Sequence, residues 1–536
     1  MTEAPPPPTI GSTPRPRLAT RTIAAFAAVK VALHMVVLAI TPYGLQRDEF
    51  LYFAMGDHLR FWRMDFPPFI AIMANLQTAL FGHTPAAARV FPALEGTVVL
   101  VLAAVIAREL GGGAFAQGLA ALSVLCGGIF LRPSNLFQPV VLDQLWWTLS
   151  LYALLRVGRA STDAAGPHGA TSARRWWIAF GLAMGLGLLT KFSILFLGLA
   201  ALGALIATPL RRWLATPWPY TAAAIAFAIG SASIVGQIVL GYPVVGQMHD
   251  LAASQLVHVS WLTFVAAQPF MIGFAAWPLA VAGGVALVAW TPLRPYRAAG
   301  WACGFAFLIL LALHGKAYYI GPIYPTLLAA GAVWLERMGA PPARSARPAV
   351  SWAVAVVILL EGAFRLPIAL PMLSKEATAQ YAVRNGMEWA LGTNRGGTDL
   401  LPQDFADQLG WRHQAATVAR VYHALTPEEQ RVTVITGGNY GEAGAEEFYA
   451  GQYGLPPVVC ACGSYWFFGP GSRPGKVLIA VRSDSAQLAS VYGDVRLAAR
   501  IRSPWSVEEE RDVRIWVARD QKRTLQAVWP RLARRN

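Results

Sequence analysis

Long apolar stretches alternate with short basic segments over the first two thirds of the chain. About twenty apolar residues cross the hydrocarbon layer of a bilayer as a helix. About eleven stretches approach or reach that length: 20–41, 89–107, 113–131, 138–156, 175–190, 192–209, 218–240, 262–290, 299–313, 320–336 and 349–370. A further apolar stretch at 69–81 is predicted to be re-entrant or interfacial.

The pattern changes from residue 371 onward, where helical and strand-like periodicities alternate. Helices are predicted in DFADQLGWRHQAATVARVYHALTPEEQ, ending before Pro427, and in EAGAEEFYAGQYG. Strands are predicted in RVTVIT, PPVVC, GKVLIAVR and DVRIWVARD. This alternation predicts a small α/β domain over 371–536. The glycines of GGNYGEAG lack the order of a nucleotide-binding loop, so a tight turn and a helix cap are expected there.

Composition supports a membrane protein. The chain is 55% hydrophobic and 14% charged, whereas a soluble domain carries about 25% charged residues. The net charge of +15 comes largely from basic residues between apolar stretches, which indicates orientation in a bilayer and not nucleic-acid binding. The predicted fold is therefore a polytopic α-helical membrane domain over 19–370, preceded by a disordered, proline-rich cytoplasmic tail over 1–18.

The basic residues also predict which loops face outward. If the eleven spans alternate, the arginines near 15–21, 156–175, 211–212, 294–297 and 337–347 all fall on one side, which the positive-inside rule makes cytoplasmic. The loop 42–88 and the domain after 371 then lie on the outer face. This predicts a multi-pass protein of the inner (cytoplasmic) membrane with an extracytoplasmic, or periplasmic, carboxy-terminal domain.

Two adjacent carboxylates, Asp48 and Glu49, open an amphipathic stretch in this outer loop. As a helix over 46–63, the stretch would place Asp48 on its apolar stripe, with Glu49 rotated by about 100°. That stripe consists of Leu51, Met55, Leu59 and Trp62. An acidic pair that complements the helix dipole is the plainer alternative. An inward carboxylate can instead take the proton from a hydroxyl that attacks a sugar carbon, while a lipid phosphate departs.

A departing phosphate needs cations nearby. Lys191 and Lys316 both lie at predicted outer ends of spans, against the positive-inside bias, which favours an anion site over simple snorkelling to the headgroups. Arg63 is a further candidate in the first loop. Asp143 enters the fourth predicted span near the outer face, where it is either paired or functional, or caps the helix.

Metal and cysteine chemistry give weaker signals. Asp65 with His249 would be an incomplete metal site, so a divalent metal is left open and no other cofactor is indicated. Cys460 and Cys462 are separated by one residue, and the sequence allows a local disulfide between them without requiring it.

The order of these motifs resembles a known family. Asp-Glu in the first outer loop is followed by Asp-x-Pro-Pro, LDQLWW, GLGLLTKFS and GKAYYIGPIYP. This order is similar to the bacterial branch of the protein-O-mannosyltransferase superfamily, which includes the lipid A aminoarabinose transferases. The stretches ARVYHAL, NYGEAGAEEFYAGQYGLPPVV and SYWFFGPG resemble its carboxy-terminal domains, so the resemblance runs from about 20 to 520.

The resemblance implies a GT-C glycosyltransferase fold and a polyprenyl-phosphate-linked sugar as donor. Asp48 takes the position of the base, supported by Glu49, and Asp143 matches a second acidic position. The donor phosphate would be lined by Lys191, Lys316, Tyr318 and Tyr319. Phe66 replaces a polar residue common in Asp-x-Pro-Pro, which puts a metal at Asp65 in doubt, and CACGSYW carries cysteines where relatives often have polar residues.

The leading hypothesis is therefore an integral-membrane glycosyltransferase with a lipid, glycan or protein acceptor. The alternative is a polytopic transporter or lipid flippase of envelope biogenesis. It would need ionisable residues in the middle of spans and repeat symmetry between halves.

Overall fold

The computed structural model describes residues 15–162, 167–338 and 347–532, most of which are helical. The membrane part contains α1 Thr20–Ile40, α2 Arg47–Asp57, α3 Phe69–Phe81, α4 Val90–Glu109, α5 Ala114–Cys126, α6 Gly128–Leu131, α7 Pro139–Thr162, α8 Pro167–Thr190, α9 Ile194–Ala207, α10 Trp218–Val239, α11 Pro243–Ser254, α12 Trp261–Ile272, α13 Ala276–Ala289, α14 Arg297–Ala312, α15 Tyr324–Met338 and α16 Arg347–Ala369. The predicted helical membrane fold is confirmed.

Several of the apolar helices are broken. Within the described ranges, five helices are long and apolar enough to cross a membrane, and three bent pairs raise this to eight if each pair is one span. The predicted continuous span 262–290 is wrong, because Gly273, with φ of 110°, ends α12 before α13 begins. Glu361 accepts hydrogen bonds from the backbone N–H groups of Phe274 and Ala275 at this break. The number of eleven spans stays a prediction.

One end of the helical domain gathers basic side chains around a buried carboxylate. Glu109 lies 3.0 Å from Arg15, 3.5 Å from Arg156 and 3.6 Å from Arg159. Tyr296 donates a hydrogen bond to the Glu109 carbonyl oxygen. A buried carboxylate requires such partners, and they come from segments that the sequence assigns to the same side of the membrane.

Lys30 departs from the expectation that lysines sit at the outer ends of spans. It lies in the middle of α1, is fully buried, and its Nζ is 3.3 Å from the Phe130 carbonyl oxygen. Lys30 is therefore an ionisable residue in the middle of a candidate span, the kind of position that the transporter hypothesis requires.

The carboxy-terminal part is an α/β domain, as predicted. Its strands are β1 Thr433–Thr436, β2 Val458–Val459, β3 Val477–Val481, β4 Tyr492–Arg502 and β5 Asp512–Gln521. Its helices are α17 Lys375–Arg384, α18 Gln403–Ala406, α19 Trp411–His423, α20 Pro427–Val432, α21 Tyr440–Phe448, α22 Ala450–Tyr453, α23 Tyr465–Phe468, α24 Ser485–Val491 and α25 Leu525–Val528. The sheet order is β2-β1-β3-β5-β4, parallel between β2, β1 and β3 and antiparallel beyond.

Strand β4 was not predicted because it lacks an apolar alternation. It lies at the edge of the sheet and carries Arg496, Arg500 and Arg502, and charges of this kind protect edge strands from pairing with other chains. The predicted helix before Pro427 is also interrupted, since Gly410 adopts φ of 96° between α18 and α19.

The carboxy-terminal domain packs against the segment 42–88 through a shared apolar core. Phe50 of α2 packs edge-on against Trp411 and Phe448, and Phe53 packs against Phe448. Gly444 permits this approach, because a Cβ there would lie 2.7 Å from the Phe50 Cβ. This core positions α21 directly beside α2.

Helix α2 is shorter than the predicted 46–63. It ends at Asp57, and the chain turns back through 58–63, so Trp62 is 52% exposed and does not join the apolar stripe.

The GGNYG turn has the predicted cap, since the Asn439 side chain accepts from the Glu442 N–H at the start of α21. Cys460 and Cys462 form a disulfide within the shared core.

Candidate active site

Glu49 anchors the start of α2. Gln46 caps the helix, and the Glu49 carboxylate accepts from the Gln46 N–H at 2.6 Å, completing a capping box. It also accepts from the Phe137 N–H at 2.8 Å and from Arg89 at 3.2 Å, and it is fully buried. These three hydrogen bonds fix the start of the helix, and Glu49, and not Asp48, is the carboxylate that faces the protein interior.

Asp48 is half-buried and faces the carboxy-terminal domain. Its Oδ1 accepts a hydrogen bond from the Tyr440 hydroxyl at 2.9 Å, and its Oδ2 lies 3.4 Å from Gln138 Nε2. Burial, and then the negative charge of Asp48, raise the pKa of Tyr440, so its hydroxyl remains a donor. The arrangement orients a carboxylate whose remaining lone pairs can accept a proton.

The second acidic position forms a cluster with a lysine. Asp143 is buried on α7 and accepts from Ser193 Oγ at 2.8 and 2.9 Å. Lys191 Nζ lies 3.9 Å from Asp143, and it lies 4.6 Å from the ring centre of Tyr319 and 5.6 Å from that of Tyr318. Asp143 therefore holds the lysine on the face of two tyrosines, where its ammonium remains partly exposed.

Lys316 and Tyr52 connect this cluster to Asp48. Lys316 interacts electrostatically with both Asp48 and Lys191. Tyr52, one turn along α2, is near enough to interact with both Asp48 and Tyr319. Two carboxylates, two ammonium groups and three tyrosines thus share one region at one end of the helices.

Three other residues with predicted roles lie elsewhere. The Arg63 side chain is exposed, in the turn after α2. Asp65 is buried and accepts from Ser464 Oγ at 3.0 Å, whereas His249 is 84% exposed and lies 3.7 Å from Asp250. Across the described ranges, no three His, Cys, Asp or Glu side chains are grouped to hold a metal ion. The Asp65–His249 pair does not fit a metal site.

Tyr440, Gln138 and Arg89 were missed by the sequence argument. Tyr440 lies 392 residues from Asp48, and Arg89 lies 40 residues from Glu49. No local spacing reveals such pairs, although NYGEAG was singled out as a turn.

Comparison with known proteins found one family match over part of the chain and several solved structures of similar fold. Residues 65–235 match the family model described as dolichyl-phosphate-mannose-protein mannosyltransferase. No curated protein shows significant sequence similarity to the chain. The family match covers less than half of the chain, and the solved structures below share its fold.

Among solved structures, the chain shares the fold of ArnT from Cupriavidus metallidurans. The apo structure is 18% identical with a TM-score of 0.59, covering 93% of this chain and 98% of that one. The structure bound to undecaprenyl phosphate is 17% identical with a TM-score of 0.57, covering 92% and 98%. The archaeal oligosaccharyltransferase AglB from Archaeoglobus fulgidus, with an inhibitory peptide and a dolichol-phosphate, is 12% identical with a TM-score of 0.53, covering 86% and 69%.

Proposed function

We propose that the chain transfers a sugar from a polyprenyl-phosphate carrier to a hydroxyl of a lipid, glycan or protein acceptor at the outer face of the cytoplasmic membrane. The observation that carries this proposal is the placement of Asp48, oriented by Tyr440, in one region with Lys316 and Lys191. A base and a pair of phosphate-binding cations are what this reaction requires.

The reaction balances without a further co-reactant. The acceptor oxygen attacks the anomeric carbon, and its proton passes to the Asp48 carboxylate. The bond between that carbon and the phosphate oxygen breaks, and the electron pair leaves with the polyprenyl phosphate. Lys191 and Lys316 stabilise the charge that develops on the phosphate.

The comparisons support the donor class and leave the sugar open. One matched structure contains undecaprenyl phosphate, another contains a dolichol-phosphate, and the family description names dolichyl-phosphate-mannose. The sugar is a hexose or a pentose, and the acceptor is a lipid, a glycan or a protein. The carboxy-terminal domain lies at the same end as this site, which places it outside the cytoplasm in this proposal.

The test compares two Asp→Asn variants on the same helix. Asp48→Asn removes the proton acceptor and is expected to lower transfer from radiolabelled polyprenyl-phosphate sugar at least 100-fold, within the range that general-base catalysis contributes. Asp57→Asn, at the exposed end of α2, is the matched control and should retain activity. Full activity in a folded, membrane-inserted Asp48→Asn protein would eliminate Asp48 as the base.

A further inference from the structure

A cavity lies beside the segment that leads into α2, and its described lining residues do not include Asp48, Lys191 or Lys316. Its volume is about 490 Å³, within the range of small-molecule sites. It is bounded by the end of α1, the segment before α4 and the beginning of α19, with Leu38, Tyr43, Arg89 and Trp411 in its walls. The cavity is thus formed jointly by the membrane domain and the carboxy-terminal domain.

The beginning of α19 presents unused hydrogen-bond donors to this cavity. Gly410 precedes the helix with φ of 96°, no side chain caps it, and its first turn has no acidic residue. Within the described ranges, the backbone N–H groups of Trp411, Arg412 and His413 have no acceptor. Free N–H groups at a helix start attract anions, and the helix dipole adds to this.

Basic side chains reinforce the same polarity. Arg412 and His413 line the cavity, are exposed, and form no ion pair or side-chain hydrogen bond in the described part of the chain. Arg89, which is 3% exposed, directs Nη2 to Gly44, Glu49 and Gln408, but its buried Nε has no partner. Among the described residues that line the cavity, none carries a carboxylate.

The position of the cavity indicates what kind of anion can reach it. Leu38 lies in the last turn of α1, a candidate membrane span, and Thr41 directly follows it. Val36 and Ile40 of the same helix are 54% and 53% exposed. Exposed apolar residues on a membrane span face acyl chains. Tyr43 and Trp411 are aromatic residues of the type found at the lipid–water boundary.

We propose that this cavity binds the anionic, phosphate-bearing headgroup of an outer-leaflet lipid with net negative charge, at a site separate from Lys191 and Lys316. The headgroup phosphate lies at the start of α19 between Arg412 and His413, and the acyl chains extend along α1. Arg89 links this site to Glu49, which holds the start of the helix bearing Asp48.

Native mass spectrometry of the full-length protein, released from nanodiscs of phosphatidylglycerol and phosphatidylcholine, tests the proposal. The wild-type protein should retain one phosphatidylglycerol that the double variant Arg412→Gln/His413→Gln loses, with binding at least tenfold weaker, as expected from lost charge-assisted hydrogen bonds. Arg384→Gln, an exposed arginine on α17, is the matched control and should retain the lipid.

A second variant fills the cavity and leaves the charges around it unchanged. Ala86→Trp fills the cavity from its exposed wall and should also lose the lipid while the protein keeps its melting temperature. Equal retention in the double variant and the control, or retention of phosphatidylcholine, overturns the proposal. Displacement of the lipid by millimolar inorganic phosphate shows that the site binds free phosphate and overturns the lipid assignment. These measurements do not depend on sugar transfer, so they stand or fail independently of the proposed reaction.

Discussion

At the scale of single residues, two adjacent carboxylates have opposite surroundings. Glu49 is fully buried and accepts hydrogen bonds from three donors. Asp48 is half-buried and accepts a hydrogen bond from the Tyr440 hydroxyl of the carboxy-terminal domain. A carboxylate that already accepts three hydrogen bonds stabilises structure, and one with free lone pairs can exchange a proton. The roles of the pair therefore follow from their partners and not from their order in the sequence.

Tyr440→Phe removes only the hydroxyl that orients Asp48. We expect transfer to fall about tenfold, as for one lost hydrogen bond to a charged group. Tyr422→Phe, whose hydroxyl contacts the Gln430 carbonyl oxygen, serves as control. An unchanged rate of transfer in the Tyr440→Phe protein would show that Tyr440 only packs.

Lys316→Ala should weaken binding of undecaprenyl phosphate about tenfold, the cost of losing one charge-assisted contact. Isothermal titration of the purified protein measures this affinity. Lys375→Ala is the control, since Lys375 is a more exposed lysine of the carboxy-terminal domain that pairs with Glu376. Equal affinities for the two variants would mean that Lys316 does not contact the phosphate.

At the scale of elements, the site depends on how closely α21 approaches α2. Gly444 of α21 contacts the Phe50 backbone, and a Cβ there would lie 3.1 Å from the Phe50 carbonyl carbon. Backbone atoms cannot move aside as a flexible side chain does. This contact therefore sets the distance between Tyr440, at the start of α21, and Asp48.

Gly444→Ala should push α21 away from α2. We expect a loss of about 1–3 kcal/mol in stability, as for other overpacked cores, together with lower transfer activity. Gly451→Ala is the matched control, because Gly451 lies in α22 with no atom near its Cβ direction. Melting temperature and transfer are measured for both variants, and identical behaviour would contradict the proposed close contact.

At the scale of the whole molecule, the two domains share buried charges as well as an apolar core. Arg47 pairs with Asp407 and Glu509, which joins α2 to two distant segments of the carboxy-terminal domain. Burial raises the pKa of Asp407 to about 7, and the neighbouring Arg47 limits the rise. Glu446 of α21 is also fully buried, and it accepts a hydrogen bond from the Gln414 side chain.

Glu446 should make stability fall as pH rises. Burial raises its pKa from 4.5 to about 8, so between these values the folded protein holds a proton that the unfolded chain has lost. Glu446→Gln does not titrate and should be more stable than wild type by roughly 1–3 kcal/mol at pH 8, with the difference vanishing near pH 4.5. Thermal unfolding across this pH range measures it. The exposed Glu428→Gln is the control, and a pH-independent difference would contradict the burial of an ionisable carboxyl.

The sequence by itself determined the features that depend on local pattern. The apolar stretches predicted the helical membrane domain, and four of the five strands of the α/β domain followed from short apolar runs. The motif order also singled out Asp48, Asp143, Lys191 and Lys316, and the structure places all four at one end of the helices. These features could be predicted because hydrophobic periodicity and residue type act over a few neighbouring positions.

Only the tertiary structure decided which carboxylate of the pair is buried, where the span at Gly273 breaks, and that Tyr440 meets Asp48. The tertiary structure also decided edge strand β4, because its sequence is rich in arginine and lacks the apolar alternation that predicts a strand. Each of these depends on contacts between segments far apart in the chain, such as the 392 residues between Asp48 and Tyr440. Such contacts arise from the packing of whole elements, which the order of residues within one element does not specify.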